Sequence, residues 1–230
     1  MILFEVLVRL LPVTINLRRS LMIKTLLLLS IALIFCLNCL AQKKDRREGV
    51  YSVYLHSVDG PEDHNVDTVT SVYEDPLIKI DWDYAYSQIG FELTNKSDQT
   101  IKIIWDDAAY ISMSNESGRI FHKGVKMIDR ENSQPPTSIY KNTTLSDLIA
   151  PTSYTRYVSG QYGGWKAEPL VPVKQGIMST KVEYIPDLIG QTMRVVLPIK
   201  IEDKVLEYIF SFKTIFMETK NKKRGDDLYD

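Results

Sequence analysis

Asp81 and Asp83 flank Trp82 in the stretch KIDWDY, and they are the first residues of the chain whose type and spacing could do chemistry. In an extended strand they fall on one face, about 6.5–7 Å apart, a separation that suits two acids working across a glycosidic bond. Asp106 and Asp107 form a second adjacent pair. Alternating acids also keep the outer face of a strand wet, and that plainer role is the one expected of both pairs. The acidic stretch Asp59 to Asp67, DGPEDHNVD, invites comparison with a calcium loop, because hard cations collect carboxylate oxygens. Its spacing departs from the regular calcium loop and Pro61 interrupts it, so a solvated loop is expected. The three histidines, His56, His64 and His122, make no spaced pair of the metal-binding kind. No nucleophile elbow, phosphate-binding loop or dinucleotide-binding glycine pattern is present. No catalytic residue, metal ligand or cofactor is therefore assigned.

The aromatic stretch Tyr154 to Trp165, YTRYVSGQYGGW, carries a different kind of chemistry. Tyr and Trp present large flat faces with a polar edge, suited to a sugar ring or a protein partner, and they lose little side-chain entropy on binding. Gly160, Gly163 and Gly164 leave the backbone free to shape such a loop. Tyr154, Tyr157, Tyr162 and Trp165 are the candidate binding residues. The competing expectation is that these rings plug an open end of the fold.

The elements that must position these residues are strands. In Ile89 to Asp107, IGFELTNKSDQTIKIIWDD, the residues Ile89, Phe91 and Leu93 alternate with polar ones, and Ile101, Ile103 and Trp105 do so again after NKSDQ. A period of two predicts a β-hairpin with one face in a core. Similar alternation marks Tyr51 to His56, Thr68 to Tyr73 and Leu77 to Tyr86, with a bulge or turn needed between Tyr86 and Ile89. A hairpin is predicted from Tyr110 to Val125 through Asn115–Gly118, and an edge strand from Ser138 to Thr144. Ser146 to Pro151 reads as a serine-capped helical turn stopped by proline. A long hairpin, Met193 to Ile201 with Val205 to Met217, closes the domain. About eight to ten short strands with almost no helix predict an all-β, immunoglobulin-like antiparallel sandwich.

Charge is nearly balanced, with 28 basic and 29 acidic side chains and no basic stripe, which argues against a nucleic-acid partner. The apolar run Leu26 to Leu37, with Lys24 before it and Cys39-Leu40-Ala41 after it, has the length and flanks of a secretory signal and is short for a membrane span. Residues 1–41 are read as an over-extended start plus an export signal, with Met22 as the true initiator. Arg18-Arg19 offers a twin-arginine alternative that the leucine-rich core disfavours. Both cysteines, Cys36 and Cys39, lie in this segment. A lipid-anchored cysteine, and with it a membrane association, is the competing reading, although Asn38 and Phe35 are poor residues to precede a lipidated position. Residues 42–50 are expected to be a flexible leader, 51–217 the sandwich and 218–230 a polar tail.

The pattern Phe91-x-Leu93-x-Asn95-x-Ser97 followed by Ile101-x-Ile103-x-Trp105 resembles small immunoglobulin-like sandwiches secreted by bacteria. Together with HKGV (His122 to Val125), PPTSI (Pro135 to Ile139), SDLIAP and GWKAEPLVP, it is similar to an uncharacterised family of bacterial exported proteins and lipoproteins. The resemblance spans Tyr51 to Phe216 and implies fold and compartment; it implies no catalytic residue. The expected role is a non-enzymatic binding or assembly module of the bacterial envelope with a protein or glycan partner, periplasmic or extracellular. The alternative is a carbohydrate-active enzyme using paired carboxylates. Cleavage after Ala41 predicts that mass spectrometry of the exported protein finds a mature chain starting at Gln42; a diacylated cysteine at the N-terminus would mean the other peptidase acts.

Overall fold

The computed structural model describes residues 46–61, 64–173 and 181–218, together with the single positions 24 and 30. Apart from those two positions, the segment read as an export signal lies outside the described residues, as does the tail beyond Glu218. Fifteen strands follow in order: β1 (Arg46–Asp59), β2 (Asn65–Asp67), β3 (Val72–Glu74), β4 (Ile78–Tyr84), β5 (Ile89–Asn95), β6 (Ile101–Ile103), β7 (Ala109–Ile111) and β8 (Ser117–His122). They continue with β9 (Thr137–Ile139), β10 (Thr144–Pro151), β11 (Thr155–Val158), β12 (Gly164–Ala167), β13 (Lys181–Glu183), β14 (Thr192–Ile201) and β15 (Lys204–Glu218). The number exceeds the expected eight to ten because six of these strands have three residues, too few for alternation to be read from sequence.

Thirteen strands make one antiparallel sheet in the order β13-β1-β15-β14-β7-β8-β10-β5-β4-β3-β2, with β6 and β9 attached beside β14. The sheet turns over along β8, whose first half pairs with β7 and whose second half pairs with β10. It curls until its two halves share a single core. Trp82 of β4 thereby meets Phe210 and Phe212 of β15 at ring-centroid distances of 4.7 and 5.2 Å, although those strands are far apart in sheet order. Tyr73 of β3 likewise packs edge-on against Tyr208 and Phe210. Burying such large rings is the main source of stability, since the driving force scales with apolar area removed from water. The all-β expectation holds, as a large curled antiparallel sheet. Among the described residues no helix is long and apolar enough to cross a membrane.

The alternation reads correctly for facing. Ile89, Phe91, Leu93, Ile101, Ile103 and Trp105 are all buried. The predicted hairpin between them does not form. β5 lies between β4 and β10, and β6 lies between β14 and β9. Its partner in a hairpin is instead β4, through a turn at Ala85–Gln88. The two apolar triplets meet across the core from opposite halves of the sheet, and NKSDQT is the crossing between layers. Alternation says which face of a strand is dry and nothing about which strand lies beside it.

Asn95 sets that crossing. It is fully buried, and its Nδ2 donates to the carbonyls of Gln99 at 2.7 Å and Ile139 at 3.0 Å. Its Oδ1 accepts from the Ser97 amide at 2.9 Å and the Ser97 hydroxyl at 2.7 Å. One side chain thus ties the end of β5, the start of the crossing and the end of β9. A second buried polar group, Asp75, accepts from the hydroxyls of Tyr73 and Tyr208 and from the amides of Leu77 and Ile78. Those bonds join β3 to β15 through the core, and burial pushes both phenols well above their ordinary range.

Two further expectations are corrected. Ser146 to Pro151 is not a helical turn; it belongs to β10, which has ladder partners on both sides in β5 and β8. Backbone groups satisfied along two ladders outweigh a single capped turn. Part of the expected leader is also ordered, because residues 46–50 begin β1. The register sets Arg46 opposite Glu183 and Glu48 opposite Lys181, so this stretch is held on the backbone ladder of β13.

Removing the side chain of Asn95 would leave the Ile139 carbonyl and the Ser97 amide without their partner, while the Gln99 carbonyl keeps the Ser97 hydroxyl, at about 1–3 kcal/mol for each group left unpaired. Asn95→Ala should therefore lower the urea midpoint clearly, and Asn95→Asp should be at least as damaging, because a carboxylate cannot donate to Gln99 and Ile139. An aspartate variant as stable as the parent in equilibrium unfolding would show that Nδ2 does not hold the corner.

Candidate functional site

β11 and β12 pair with each other and with no other strand, so this hairpin projects from the curled sheet. Its turn closes through a Gly163 amide to Gly160 carbonyl bond of 2.9 Å. A Cβ on Gly163 would stand 2.3 Å from the Val158 carbonyl oxygen, and Gly164 has a φ of 129°, so both positions need glycine. Cross-strand register puts Tyr157 opposite Trp165, and the rings meet edge to face at 5.5 Å. Tyr157 is 64% exposed, Tyr162 at the tip 85% and Trp165 38%. The Arg130 guanidinium lies over the Trp165 ring at 4.9 Å and is anchored by the Thr152 and Met127 carbonyls. Three of the four sequence candidates therefore sit together on an exposed hairpin. Tyr154 is separate: it is half-buried against Tyr110 at 5.7 Å, and burial pushes its hydroxyl pKa up. It behaves as the plug that was the competing expectation for the whole stretch.

The next cross-strand pair on the same hairpin face is Thr155 with Ala167. These two residues form one wall of a cleft of about 210 Å³, with Phe121, Leu148 and Ala150 also lining it. His122, Lys123, Val125 and Met127 line it as well, with Ser87, Gln88 and Gly124. Thr155 and Ala167 thus set the cleft one same-face pair along the hairpin from Tyr157 and Trp165.

His122, which makes no spaced pair in the sequence, is the most organised polar group in this cleft. Its ring lies parallel to Trp105 at 4.2 Å, and its Nδ1 is 3.1 Å from Oδ2 of Asp147. The Asp147 side chain is only 5% exposed. Its Oδ1 accepts from the amides of Lys123 and Leu148, which fixes the carboxylate and through it the imidazole. The Gln134 side chain accepts from the His122 amide and donates to the Ile120 carbonyl, holding the local backbone. Nothing in the local sequence signals this pair, because its members lie on β8 and β10 and become neighbours only through the ladder.

The carboxylates divide into two settings. Asp81, Asp83 and Glu92 line a shallow hollow of about 290 Å³ on the outer sheet face around Gly90. Asp81 stands opposite Glu92 in register and is paired with Lys79 at 3.1 Å, with its side chain 41% exposed. Asp106 acts as a clasp instead: it accepts from the Ser133 hydroxyl, the Gln134 amide and Arg119, and the Ser133 bond, followed by that amide, holds its carboxyl below the usual range. Among the described residues no group of three or more His, Cys, Asp or Glu side chains is placed to hold a metal ion.

Compared with family models, with curated proteins and with solved structures, the chain gives no match in any of the three. What the site can do is therefore argued from its own geometry. Asp147→Ala should cost about 1–3 kcal/mol, since it leaves the part-buried amides of Lys123 and Leu148 without their acceptor. It should also free the His122 ring from its fixed orientation over Trp105. An increase in tryptophan fluorescence anisotropy decay, together with a lowered unfolding midpoint, would report both effects; an unchanged midpoint would mean water replaces the carboxylate fully.

Proposed function

We propose that this chain is an exported, non-enzymatic module that binds a partner protein through the β11–β12 hairpin and the cleft at its foot. The observation that carries the reading is the exposed Tyr157–Trp165 pair on a hairpin outside the main sheet, continuous with the lining of the cleft. Large rings left in water on a projecting element are costly to keep unless something covers them. Trp, Tyr, Met and Arg are the residues enriched at protein interfaces, and here Trp165, Tyr157, Met127 and Arg130 stand together. The same geometry favours a protein over a glycan. Arg130 covers one face of Trp165, and Tyr157 meets it at 71°, so the two rings offer no common flat platform for a sugar.

Export is part of the proposal and rests on the segment Met22 to Ala41, with an envelope or extracellular setting as its consequence. The immunoglobulin-like assignment also belongs here; it is supported by the alternation pattern and by aromatic packing between the two halves of the sheet.

A second reading, a carbohydrate-active enzyme, draws support from the hollow that gathers Asp81, Asp83 and Glu92. Asp81, Asp83 and Glu92 remain wet there, and the fourth acid of the hollow, the buried Asp147, is tied as an acceptor to two amides and to His122, whereas a general acid for glycoside cleavage needs an environment that keeps it protonated. The binding reading is preferred on that ground.

The two readings order a set of variants differently. Tyr157→Ser with Trp165→Ser should weaken retention on an envelope fraction by about 30-fold, the scale of a lost interface anchor, with an unchanged circular dichroism spectrum. Asp81→Asn with Asp83→Asn should leave retention as it was. Protease treatment of the fraction should abolish retention and glycan hydrolases should not. Retention that survives protease, or depends on the acids instead of the rings, would overturn the proposal.

A further inference from the structure

The β11–β12 hairpin has a free edge, whose chemistry refines the protein-binding reading and rests on it. In an antiparallel pair, opposed residues alternate between those that exchange both backbone bonds and those whose amides and carbonyls face outward. The Glu168 amide donates to the Tyr154 carbonyl at 2.7 Å, so Tyr154 with Glu168 is a bonded pair. Along the register Arg156 with Lys166 is the next bonded pair, while Thr155 with Ala167 and Tyr157 with Trp165 are the non-bonded ones. The amides and carbonyls of Trp165 and Ala167 therefore point away from β11, and no strand meets them among the described residues.

The two edges of the hairpin differ. Thr155 on β11 is buried, whereas Trp165, Lys166 and Ala167 of β12 are all exposed. The strands that end the main sheet, β13, β2 and β9, have three residues each, and such shortness protects an edge from further pairing. β12 has four residues without a proline, and its open edge is flanked by an exposed indole. Lys166, on the opposite hairpin face from the rings, selects the occupant. It stands opposite Arg156, whose charge is met by Glu168 at 2.9 Å, and makes no ion pair of its own among the described residues. Two copies joined edge to edge would set Lys166 against Lys166, so a second copy is disfavoured and a strand carrying an acid at that place is favoured.

We infer that an extended segment of the partner protein adds to β12 as an antiparallel third strand, its backbone bonded to Trp165 and Ala167. Its residues opposite those two are apolar and lie on the ring face. The residue between them is acidic and meets Lys166.

A fluorescein-labelled octapeptide of alternating valine and glutamate tests this on the mature protein by fluorescence anisotropy. Valines set opposite Trp165 and Ala167 turn their amides toward β12, and the glutamates turn theirs away. N-methylation of the valines should therefore weaken binding at least about tenfold, the scale of lost hydrogen bonds, and N-methylation of the glutamates should not. Lysine in place of glutamate should weaken binding, and Lys166→Glu should reverse that preference. Ala167→Pro removes one outward amide at an edge, a place where proline is tolerated, and should abolish binding with an unchanged circular dichroism spectrum. Equal loss from both methylation patterns, no binding of the valine and glutamate peptide, or a charge preference that Lys166→Glu leaves as it was would each overturn the inference; the methylation readings need no variant to fold. Envelope retention separates this from the broader reading. Retention that needs Tyr157 and Trp165 but survives Ala167→Pro would remove the added strand and leave the protein-binding module, whereas retention that survives protease would overturn the module itself.

Discussion

Asn95 donates to a carbonyl at the far side of its own turn and to another on β9, and accepts twice from Ser97, all within a corner that water does not reach. The bonds to Gln99 and Ser97 shape the turn itself, and the one to Ile139 on β9 is made only when the chain leaves β5 and crosses the core, so that bond favours the crossing over the simple hairpin that the alternating residues would equally allow. The rest of the architecture follows from that choice. With β6 sent to the other half of the sheet, β10 takes the place beside β5, and Trp105 is delivered to the core beneath it. A buried polar group earns such a role through direction: apolar burial is indifferent to partner, while unmet donors and acceptors are not.

The core reinforces the closed form of the sheet with interlocking rings. Trp82 touches Phe91, Phe210 and Phe212, so it bridges β4 and β15, strands that share no ladder. Asp75 adds hydrogen bonds across the same gap to Tyr73 and Tyr208. A carboxylate in such a place is tolerable because four donors surround it; with fewer, its desolvation would favour opening the sheet.

The candidate site is joined to this core through Trp105. One side of the chain's crossing delivers the indole, and His122 stacks on it while Asp147 orients the imidazole. The polar edge of the cleft is therefore rigid, supported from behind by packed residues, whereas the aromatic hairpin projects on its own ladder and its glycine turn.

Much of the burial pattern was legible in the sequence, from Tyr51, Val53 and Leu55 on β1 to the alternating faces of β14 and β15, because a side-chain period of two is a local property of extended backbone. The exposed aromatic hairpin was legible too, since glycines and large rings in one stretch mark a shaped loop. Sequence alone placed the β7–β8 and β14–β15 hairpins, but it did not determine which other strands pair, why SDLIAP extends as a strand, or that His122 meets Asp147. Each of those depends on contacts between distant residues, and an alternating strand satisfies its apolar face equally well beside many neighbours. Only the closed tertiary structure, where each buried donor must find an acceptor, singles out one set of neighbours and with it the cleft.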